Sequence, residues 1–292
     1  MKLLTYIYNN TESIGVLSGD EKQVVPCTDL GISYPTMEEL AVKITDEELA
    51  ETAKRLEGCK GIPLENVKVL APIPRPSRDI ICLGVNFKDH AEESKDVMGA
   101  EYAGERKYPI YFAKHVNEAV ADGDDIDGHF DIVTDLDYEV EMAFVVRRDI
   151  VKAKAEDAAK YVFGYTIMND VSARCIQMRH KQWFRGKSFD GFAPMGPYLV
   201  TADEFDFPPK TDLTCRVNGE LRQNTNTALY IHNIPYVVED LSSAMLVKAG
   251  TIISMGTPAG VGMGFKPPRY LKHGDVVECE VGGIGKLTNT VK

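Results

Sequence analysis

Short runs in which apolar and polar residues alternate occur along much of the chain, and a period of two is typical of half-buried β-strands. Strands are predicted at residues 3–17 (a pair around Asn9 and Asn10), 80–83, 138–146, 164–168, 213–217 and 276–281. A helical period is found at residues 36–56 (two stretches), 155–161, 171–180 and 236–244. Because strands dominate and do not alternate strictly with helices, the pattern predicts a mixed α+β fold and not a doubly wound sheet.

Three prolines at alternate positions, Pro72, Pro74 and Pro76, interrupt this pattern. Proline fixes φ and lacks a backbone N–H, so the segment is expected to be an extended connector. The length of 292 residues exceeds the usual size of one domain. We therefore predict a small N-terminal α+β domain at residues 1–70 and a larger, catalytic domain at residues 71–292.

The composition is acidic, with 44 Asp plus Glu against 33 Lys plus Arg, and no basic run marks a nucleic-acid partner. No apolar stretch approaches the roughly 20 residues that cross a bilayer, and the first residues do not form a secretion signal. The six cysteines are scattered without CxxC spacing. We expect a cytoplasmic protein with reduced thiols and neither a nucleic-acid nor a membrane partner.

Two glutamates in the strand at residues 138–146 are the first candidates for chemistry. Glu139 and Glu141 project from one face, while Tyr138, Val140 and Met142 line the other. One interpretation is an edge strand whose polar face lies in water. The other is a metal site, because a divalent cation relieves the repulsion between neighbouring carboxylates.

Asp170 follows an apolar strand and precedes a helical pattern. An aspartate at such a position commonly caps the helix. Arg174 and Gln177 lie four and seven residues later, on the same predicted helix face. Arg174 is therefore either an ordinary surface charge or a cation that orients a carboxylate ligand or a substrate oxygen.

His90 and Glu93 are spaced to be neighbours on a helix that follows the strand at residues 80–83. A carboxylate beside an imidazole sets its tautomer and raises its pKa, as a general base requires. Many helices carry such a pair without any catalytic role, so the spacing alone leaves both interpretations open.

Two glycine-containing loops complete the candidates. Residues 185–191 place Lys187 and Ser188 after a glycine, as in a loop that faces a substrate. Residues 256–264, which include Thr257, are rich in glycine and could offer backbone N–H groups to an anion. This second loop lacks the Gly-Lys-Ser/Thr ending of a P-loop, which excludes a nucleotide site of that type. Tight turns without function remain the alternative for both loops.

These segments, taken together and in order, resemble the fumarylacetoacetate hydrolase family. The motifs that carry the resemblance are Gly-Val-Asn-Phe-Lys-Asp-His (84–90), Asp-Tyr-Glu-Val-Glu-Met (137–142), Gly-Tyr-Thr-Ile-Met-Asn-Asp-Val-Ser-Ala-Arg (164–174), Gly-Lys-Ser-Phe-Asp (186–190) and Gly-Thr-Pro-Ala-Gly-Val-Gly (256–262). The resemblance extends from about Ile73 to the C-terminus. Residues 179–184 and 264–268 are similar to bacterial members with a small N-terminal domain, which include oxaloacetate decarboxylases and acylpyruvate hydrolases.

The resemblance implies a β-roll fold, a Mg²⁺ or Mn²⁺ cofactor and a homodimer or larger homo-oligomer. It implies metal ligands at Glu139, Glu141 and Asp170. It implies catalytic roles for His90, Glu93 and Lys187, with the first two forming an acid–base dyad. It implies substrate binding by Arg174, Gln177 and Thr257, together with Lys187.

The sequence departs from the family pattern at several positions. Cys175 stands where many relatives have an aspartate after the Ala-Arg pair. Residues 114–117, Lys-His-Val-Asn, lack the small residues often found after that lysine, which puts the substrate in question. The early metal-binding aspartate of the longest members has no counterpart near Leu83, so a site with three carboxylates is expected.

The implied reaction is cleavage of a carbon–carbon bond in a small 2-oxo acid, with the metal stabilising an enolate. Hydrolysis of an acylpyruvate is placed first: His90, held by Glu93, activates water and Lys187 stabilises the oxyanion. Decarboxylation of oxaloacetate is the main alternative. A 2-oxo acid isomerase or dehydratase, or a silent metabolite-binding protein, are further alternatives.

Overall fold

The computed structural model describes residues 1–99 and 107–292, with side chains described except at residues 96–98. Within these residues the strands, numbered in chain order, are β1 Lys2–Tyr8, β2 Thr11–Leu17, β3 Gln23–Pro26, β4 Ile62–Pro63, β5 Lys68–Leu70, β6 Ile80–Gly84, β7 Ile110–Lys114, β8 Asp125–Ile126, β9 Leu136–Asp137, β10 Val140–Val146, β11 Val162–Asn169, β12 Ser172–Ala173, β13 Met195–Thr201, β14 Asp212–Val217, β15 Glu220–Asn226, β16 Ile252–Ser254, β17 Val276–Val281 and β18 Gly285–Val291.

The α-helices of the described residues are α1 Met37–Lys43, α2 Asp46–Leu56, α3 Lys88–Met98, α4 Arg174–His180, α5 Phe184–Lys187 and α6 Ile234–Ser242. Short 3₁₀ helices occur at Cys27–Leu30, Leu64–Asn66, Ala155–Tyr161, Ala202–Glu204, Thr227–Leu229 and Gly262–Gly264. The helix α2 begins at a capping box, in which Thr45 and Glu48 each accept a hydrogen bond from the other's backbone N–H. None of the described helices is long and apolar enough to cross a membrane.

Most described strands join one large mixed sheet in the order β4-β3-β2-β1-β13-β11-β10-β16-β6-β7, and β5 also pairs with β1. A second sheet has the order β15-β14-β17-β18-β8, and β9 and β12 form a short ribbon. Pairing is antiparallel except between β6 and β16 and between β8 and β18. The predicted α+β class is therefore confirmed.

The strand β10 occupies the middle of the large sheet, between β11 and β16, and all seven of its residues are buried. Its faces enter different cores, as a period of two requires. Met142 and Phe144 pack with residues of the second sheet and α6, whereas Ala143 and Val145 pack with residues of α1 and β1. The interpretation of this segment as a water-exposed edge strand is wrong.

The helix predicted at residues 171–180 begins only at Arg174. The preceding residues form β12 instead, because Ser172 and Ala173 pair with Asp137 and Leu136 of β9. No side chain caps α4, so Asp170 is neither its N-cap nor on its face. The segment at 155–161 is a 3₁₀ helix, whereas the other predicted helices and strands are present with shifts of a few residues at their ends.

The proposed N-terminal domain is connected to the rest of the chain by backbone pairing. Lys2 and Leu3 of β1 lie opposite Val200 and Leu199 of β13, so β1 extends the large sheet. Residue 70 ends β5, and the proline-containing connector follows it. The division of the chain at residue 70 stays a prediction.

Candidate active site

Three carboxylates meet where β10 begins and β11 ends. The antiparallel register places Val140 opposite Asn169, and the backbone N–H of Asp170 donates to the carbonyl of Glu139 at 2.9 Å. One carboxylate oxygen from each of Glu139, Glu141 and Asp170 lies within 4.8 Å of the others. All three side chains are buried, with Asp170 fully inaccessible. Sheet pairing therefore brings together the three residues that the resemblance implied as metal ligands.

Buried cations neutralise part of this negative charge. Lys187 Nζ donates to Glu139 Oε2 and Asp170 Oδ2, both at 2.7 Å. Lys114 Nζ donates to the other oxygen of Asp170 at 2.6 Å and to the carbonyl of Val171 at 3.0 Å. Both lysines are almost completely buried. Charges of both signs thus share one site that water barely reaches, where electrostatic interactions are stronger than at the surface.

The two glutamates respond to this environment in opposite directions. Burial raises the pKa of Glu139, but the charges of Lys187 and Arg174 outweigh burial and hold that pKa to about 2. The pKa of Glu141 is raised well above its usual value, first by burial and then by repulsion from Asp170 and Glu139. The buried cations of the site therefore do not fully compensate the negative charge around Glu141.

This donor set fits a divalent cation. Carboxylate oxygens are the ligands that Mg²⁺ prefers, and Mn²⁺ accepts the same hard ligands. The repulsion that raises the pKa of Glu141 is the interaction that a bound cation relieves. We therefore regard Glu139, Glu141 and Asp170 as chemically suited to hold the metal, while their role as its ligands stays a prediction.

Arg174 is held by a carboxylate that the sequence analysis did not single out. Its Nε donates to Asp137 Oδ2 at 2.9 Å, and its Nη1 donates to Gln177 Oε1 at 3.1 Å. Its Nη2 lies 2.6 Å from Glu139 Oε1 but is not aligned for a hydrogen bond. Asp137 therefore supports the arginine from β9, although Cys175 replaces the aspartate that follows the arginine in many relatives.

The glycine-rich loop at residues 256–264 turns its backbone N–H groups toward protein carboxylates. Gly256 donates to Glu141 at 3.0 Å, and Gly260 donates to Glu93 at 2.9 Å. Gly262 donates to Asp137 at 2.6 Å. The anions that the backbone of this loop binds are therefore carboxylate side chains of the same chain. These hydrogen bonds hold the carboxylates in place around the pocket.

The predicted dyad is formed at the start of α3. His90 Nδ1 lies 3.0 Å from Glu93 Oε2, and His90 is buried. The other oxygen of Glu93 accepts the hydrogen bond from Gly260. Gly264 packs so closely that a Cβ there would lie 1.9 Å from Glu93 Oε1. Glu93 is therefore fixed from two sides. With the imidazole N–H on Nδ1, Nε2 of His90 is an acceptor, and the hydroxyl of Ser94 lies 3.5 Å from it.

Thr257 is closely tied to the sheet. Its hydroxyl donates to the carbonyl of Val140 at 3.0 Å and accepts from Gln223 Nε2 at 2.7 Å. Gln223 Oε1 in turn accepts the N–H of Val140. The predicted contact of Thr257 with a substrate oxygen has to use its remaining acceptor capacity, because its donor is already engaged.

One narrow pocket brings these groups together, with a cavity volume of about 10 Å³, roughly the space of one water molecule. Its lining residues are Leu83, Gly84, Val85, His90, Phe112, Glu139, Glu141, Arg174, Gln177, Trp183, Lys187 and Thr257. Asp170 lies directly behind Lys187, and Glu93 behind His90. All nine predicted site residues therefore line the pocket or contact its lining.

Three residues that shape the site were not predicted from the sequence. Asp137 has the spacing of Glu139 and Glu141, so the same alternation could have identified it. Lys114 ends an apolar run on β7, where a buried lysine requires a partner. Ser254 donates to Glu141 Oε2 at 2.5 Å, and no local signal pointed to it.

The mixed-sheet fold and the buried carboxylate site define a class of metal-dependent enzymes, and the comparisons identify it. Residues 79–292 match the model of the fumarylacetoacetate hydrolase C-terminal domain. The chain is 43% identical over 247 residues to the oxaloacetate tautomerase YisK of Bacillus subtilis, covering 84% of this chain and 80% of the relative. The chain belongs to the fumarylacetoacetate hydrolase family, as the sequence motifs predicted, and is an enzyme of that family.

Solved structures agree with this assignment. A fumarylacetoacetate hydrolase from Exiguobacterium antarcticum is 36% identical, with a TM-score of 0.82 over 100% of this chain and 99% of that one. The maleylpyruvate hydrolase of Sphingobium sp. SYK-6, solved with manganese(II) and pyruvate, is 25% identical, with a TM-score of 0.77 over 100% and 98% of the two chains. The family is thus established, and the particular reaction is left to the site.

Proposed function

We propose that this enzyme interconverts the keto and enol forms of oxaloacetate or a closely related short 2-oxo acid. The observation that carries the proposal is that His90 lines the same pocket as Glu139 and Glu141, with Glu93 and Asp170 in contact with that lining. The similarity to an oxaloacetate tautomerase supports the choice of reaction and substrate. Hydrolysis, which the sequence analysis placed first, becomes the second candidate.

Keto–enol interconversion moves one proton between the carbon next to the keto group and the keto oxygen. His90 Nε2 is the group that takes the proton from carbon and delivers it to the keto oxygen, and the same two transfers run backwards in the reverse direction. Glu93 accepts the N–H of Nδ1, and its negative charge stabilises the imidazolium that forms. A Mg²⁺ or Mn²⁺ ion held by Glu139, Glu141 and Asp170 would supply Lewis-acid stabilisation of negative charge on the keto oxygen.

The cations of the pocket bind and orient the substrate. An ammonium group has three donors, and Lys187 uses two of them on Glu139 and Asp170, which leaves one for a substrate oxygen. Arg174 is ion-paired to Glu139 through Nη2 at 2.6 Å, and its guanidinium has further N–H donors that suit a substrate carboxylate. Gln177 keeps the guanidinium in place through Nη1.

Hydrolysis of an acylpyruvate would use the same groups, with His90 activating water instead of moving a carbon-bound proton. The similarity to a maleylpyruvate hydrolase favours this alternative. We rank it second because that similarity, at 25% identity, is much weaker than the 43% shared with the tautomerase. Decarboxylation of oxaloacetate ranks third, because loss of carbon dioxide gives the His90–Glu93 dyad no proton to remove.

The three reactions are separated by their products. Metal-loaded enzyme is mixed with enol oxaloacetate, and the ultraviolet absorbance of the enol is followed together with pyruvate formation; acylpyruvates are assayed in parallel. We expect the enzyme to accelerate enol loss without forming pyruvate. His90→Gln should abolish this acceleration, whereas His273→Gln, at an exposed position, should leave it unchanged. Pyruvate appearing as fast as the enol is lost would refute tautomerisation in favour of decarboxylation, and rapid pyruvate release from acylpyruvates would favour hydrolysis.

We further propose that the enzyme is cytoplasmic and works as a homodimer or larger homo-oligomer. The six cysteines are unpaired, as a reducing compartment requires. Sedimentation velocity of the purified chain tests the oligomeric state, and a monomer at micromolar concentration would contradict it.

A further inference from the structure

One aromatic side chain of the pocket has no role in the proposed chemistry. Trp183 immediately precedes α5, and its ring lies on Gly84 at the end of β6. A Cβ on residue 84 would lie 2.1 Å from Cζ3 and 2.6 Å from Cη2 of the indole. Only glycine leaves room for the ring at this position, so the end of β6 is adapted to the tryptophan.

The indole is fixed relative to the catalytic cations. The backbone N–H of Lys187 donates to the carbonyl of Trp183 at 3.1 Å, so one short helical turn connects the two residues. The ring of Phe112 meets the indole edge-on, with centroids 5.2 Å apart and an interplanar angle of 69°. Lys187 Nζ lies 5.2 Å from the centre of the same phenyl ring. The apolar wall thus stands next to the group that would bind a substrate oxygen.

We infer that Trp183 sets the length of 2-oxo acid that the enzyme accepts, with the indole as the wall that a longer distal chain meets. A 2-oxo acid whose oxygens lie at Lys187 and the carboxylates has its distal part within reach of this wall. Because the pocket has only about 10 Å³ of free volume, any 2-oxo acid must displace side chains to enter it, and an acid with a longer distal chain must displace the indole further. The inference rests on the proposed function only for the identity of the substrate class.

The test measures binding, so it does not depend on turnover. Mn²⁺-loaded protein is titrated calorimetrically with pyruvate, 2-oxobutyrate and 2-oxohexanoate, using wild type, Trp183→Ala and Trp183→Phe. Phe184→Ala is the matched control, because Phe184 is the next residue, also aromatic, and 45% exposed. Trp183 is the single tryptophan of the chain, so its fluorescence independently reports contact between ligand and indole.

We expect wild type and Phe184→Ala to bind 2-oxohexanoate at least tenfold more weakly than pyruvate, with Trp183→Ala removing this difference. Trp183→Phe should give an intermediate ratio and serves if the alanine variant does not fold. An unchanged ratio in both Trp183 variants would overturn the inference, as would failure of every acid to bind. Normal length dependence without oxaloacetate turnover would refute the proposed function and leave the inference standing.

Discussion

Replacing Glu141 with glutamine should stabilise the metal-free protein, although it removes a residue of the active site. Glu141 is 1% exposed, and burial together with the charges of Asp170 and Glu139 raises its pKa. A glutamine can keep an oxygen where Ser254 Oγ and the N–H of Gly256 donate. The substitution therefore removes the unfavourable charge and retains the hydrogen bonds that position the side chain.

The size of the effect follows from the distances in the cluster. Two unit charges within 4.8 Å of each other repel by about 3.5 kcal/mol or more at an effective dielectric constant of about 20. Glu141 has two such neighbours, and attraction to Lys187 offsets part of the sum. We expect Glu141→Gln to raise the free energy of unfolding by about 1–4 kcal/mol at pH 8, or Tm by several degrees.

The effect should depend on pH in a defined direction. Because the pKa of Glu141 is higher in the folded than in the unfolded chain, its favourable contribution to folding stability is fully present at a pH below its unfolded-state pKa. That contribution is lost as the pH rises through the folded pKa. Glutamine does not titrate, so the advantage of Glu141→Gln should be small at pH 5 and grow toward pH 8.

Urea denaturation in EDTA at both pH values measures this difference, with Glu280→Gln on the exposed face of β17 as control. Metal should narrow this difference, since ligand at 100 times its Kd stabilises wild type by about 2.7 kcal/mol and the variant by less. A less stable variant at pH 8 without metal, or an equal gain from Mn²⁺ in both proteins, would refute the electrostatic reasoning.

The remaining predictions concern the groups around the cluster. Gly264→Ala places a methyl group 1.9 Å from Glu93 Oε1. We therefore expect kcat to fall about a hundredfold, while the Mn²⁺ affinity measured by calorimetry stays unchanged. Weaker metal binding would contradict this prediction. Asp137→Asn removes one of the two carboxylates that pair with the buried Arg174, and urea denaturation should show a loss of about 3 kcal/mol, with a loss below 1 kcal/mol as the contrary result. Because the pKa of Glu139 is held to about 2, its contribution to stability is lost as the pH falls from about 4.5 toward 2, and acid titration of Glu139→Gln should lack that component.

Local periodicity was sufficient to predict much of the secondary structure and part of the site. The alternation of β10 placed Glu139 and Glu141 on one face, and the spacing of His90 and Glu93 made them neighbours on α3. These relations depend only on residues close in sequence, where strand and helix geometry fixes which side chains meet.

Contacts between distant segments were beyond that reasoning. The N-cap interpretation of Asp170 was wrong because β12 pairs with β9, and the pairing depends on the approach of two remote segments. The support of Arg174 by Asp137 and the burial of Lys114 against Asp170 arise in the same way. The family resemblance predicted Glu139, Glu141 and Asp170 as metal ligands together, whereas periodicity alone left a metal site and a solvated face as alternatives.

The most direct test of the account is a titration of metal-free protein with Mn²⁺ while enol loss from oxaloacetate is followed by stopped flow. We expect a rate that rises linearly to one Mn²⁺ per chain and then levels off. Glu139→Gln should abolish the rise, whereas Glu280→Gln should leave it unchanged. A metal-free protein that is already fully active, or a Glu139→Gln variant that is activated like wild type, would contradict the assignment of these carboxylates to a catalytic metal.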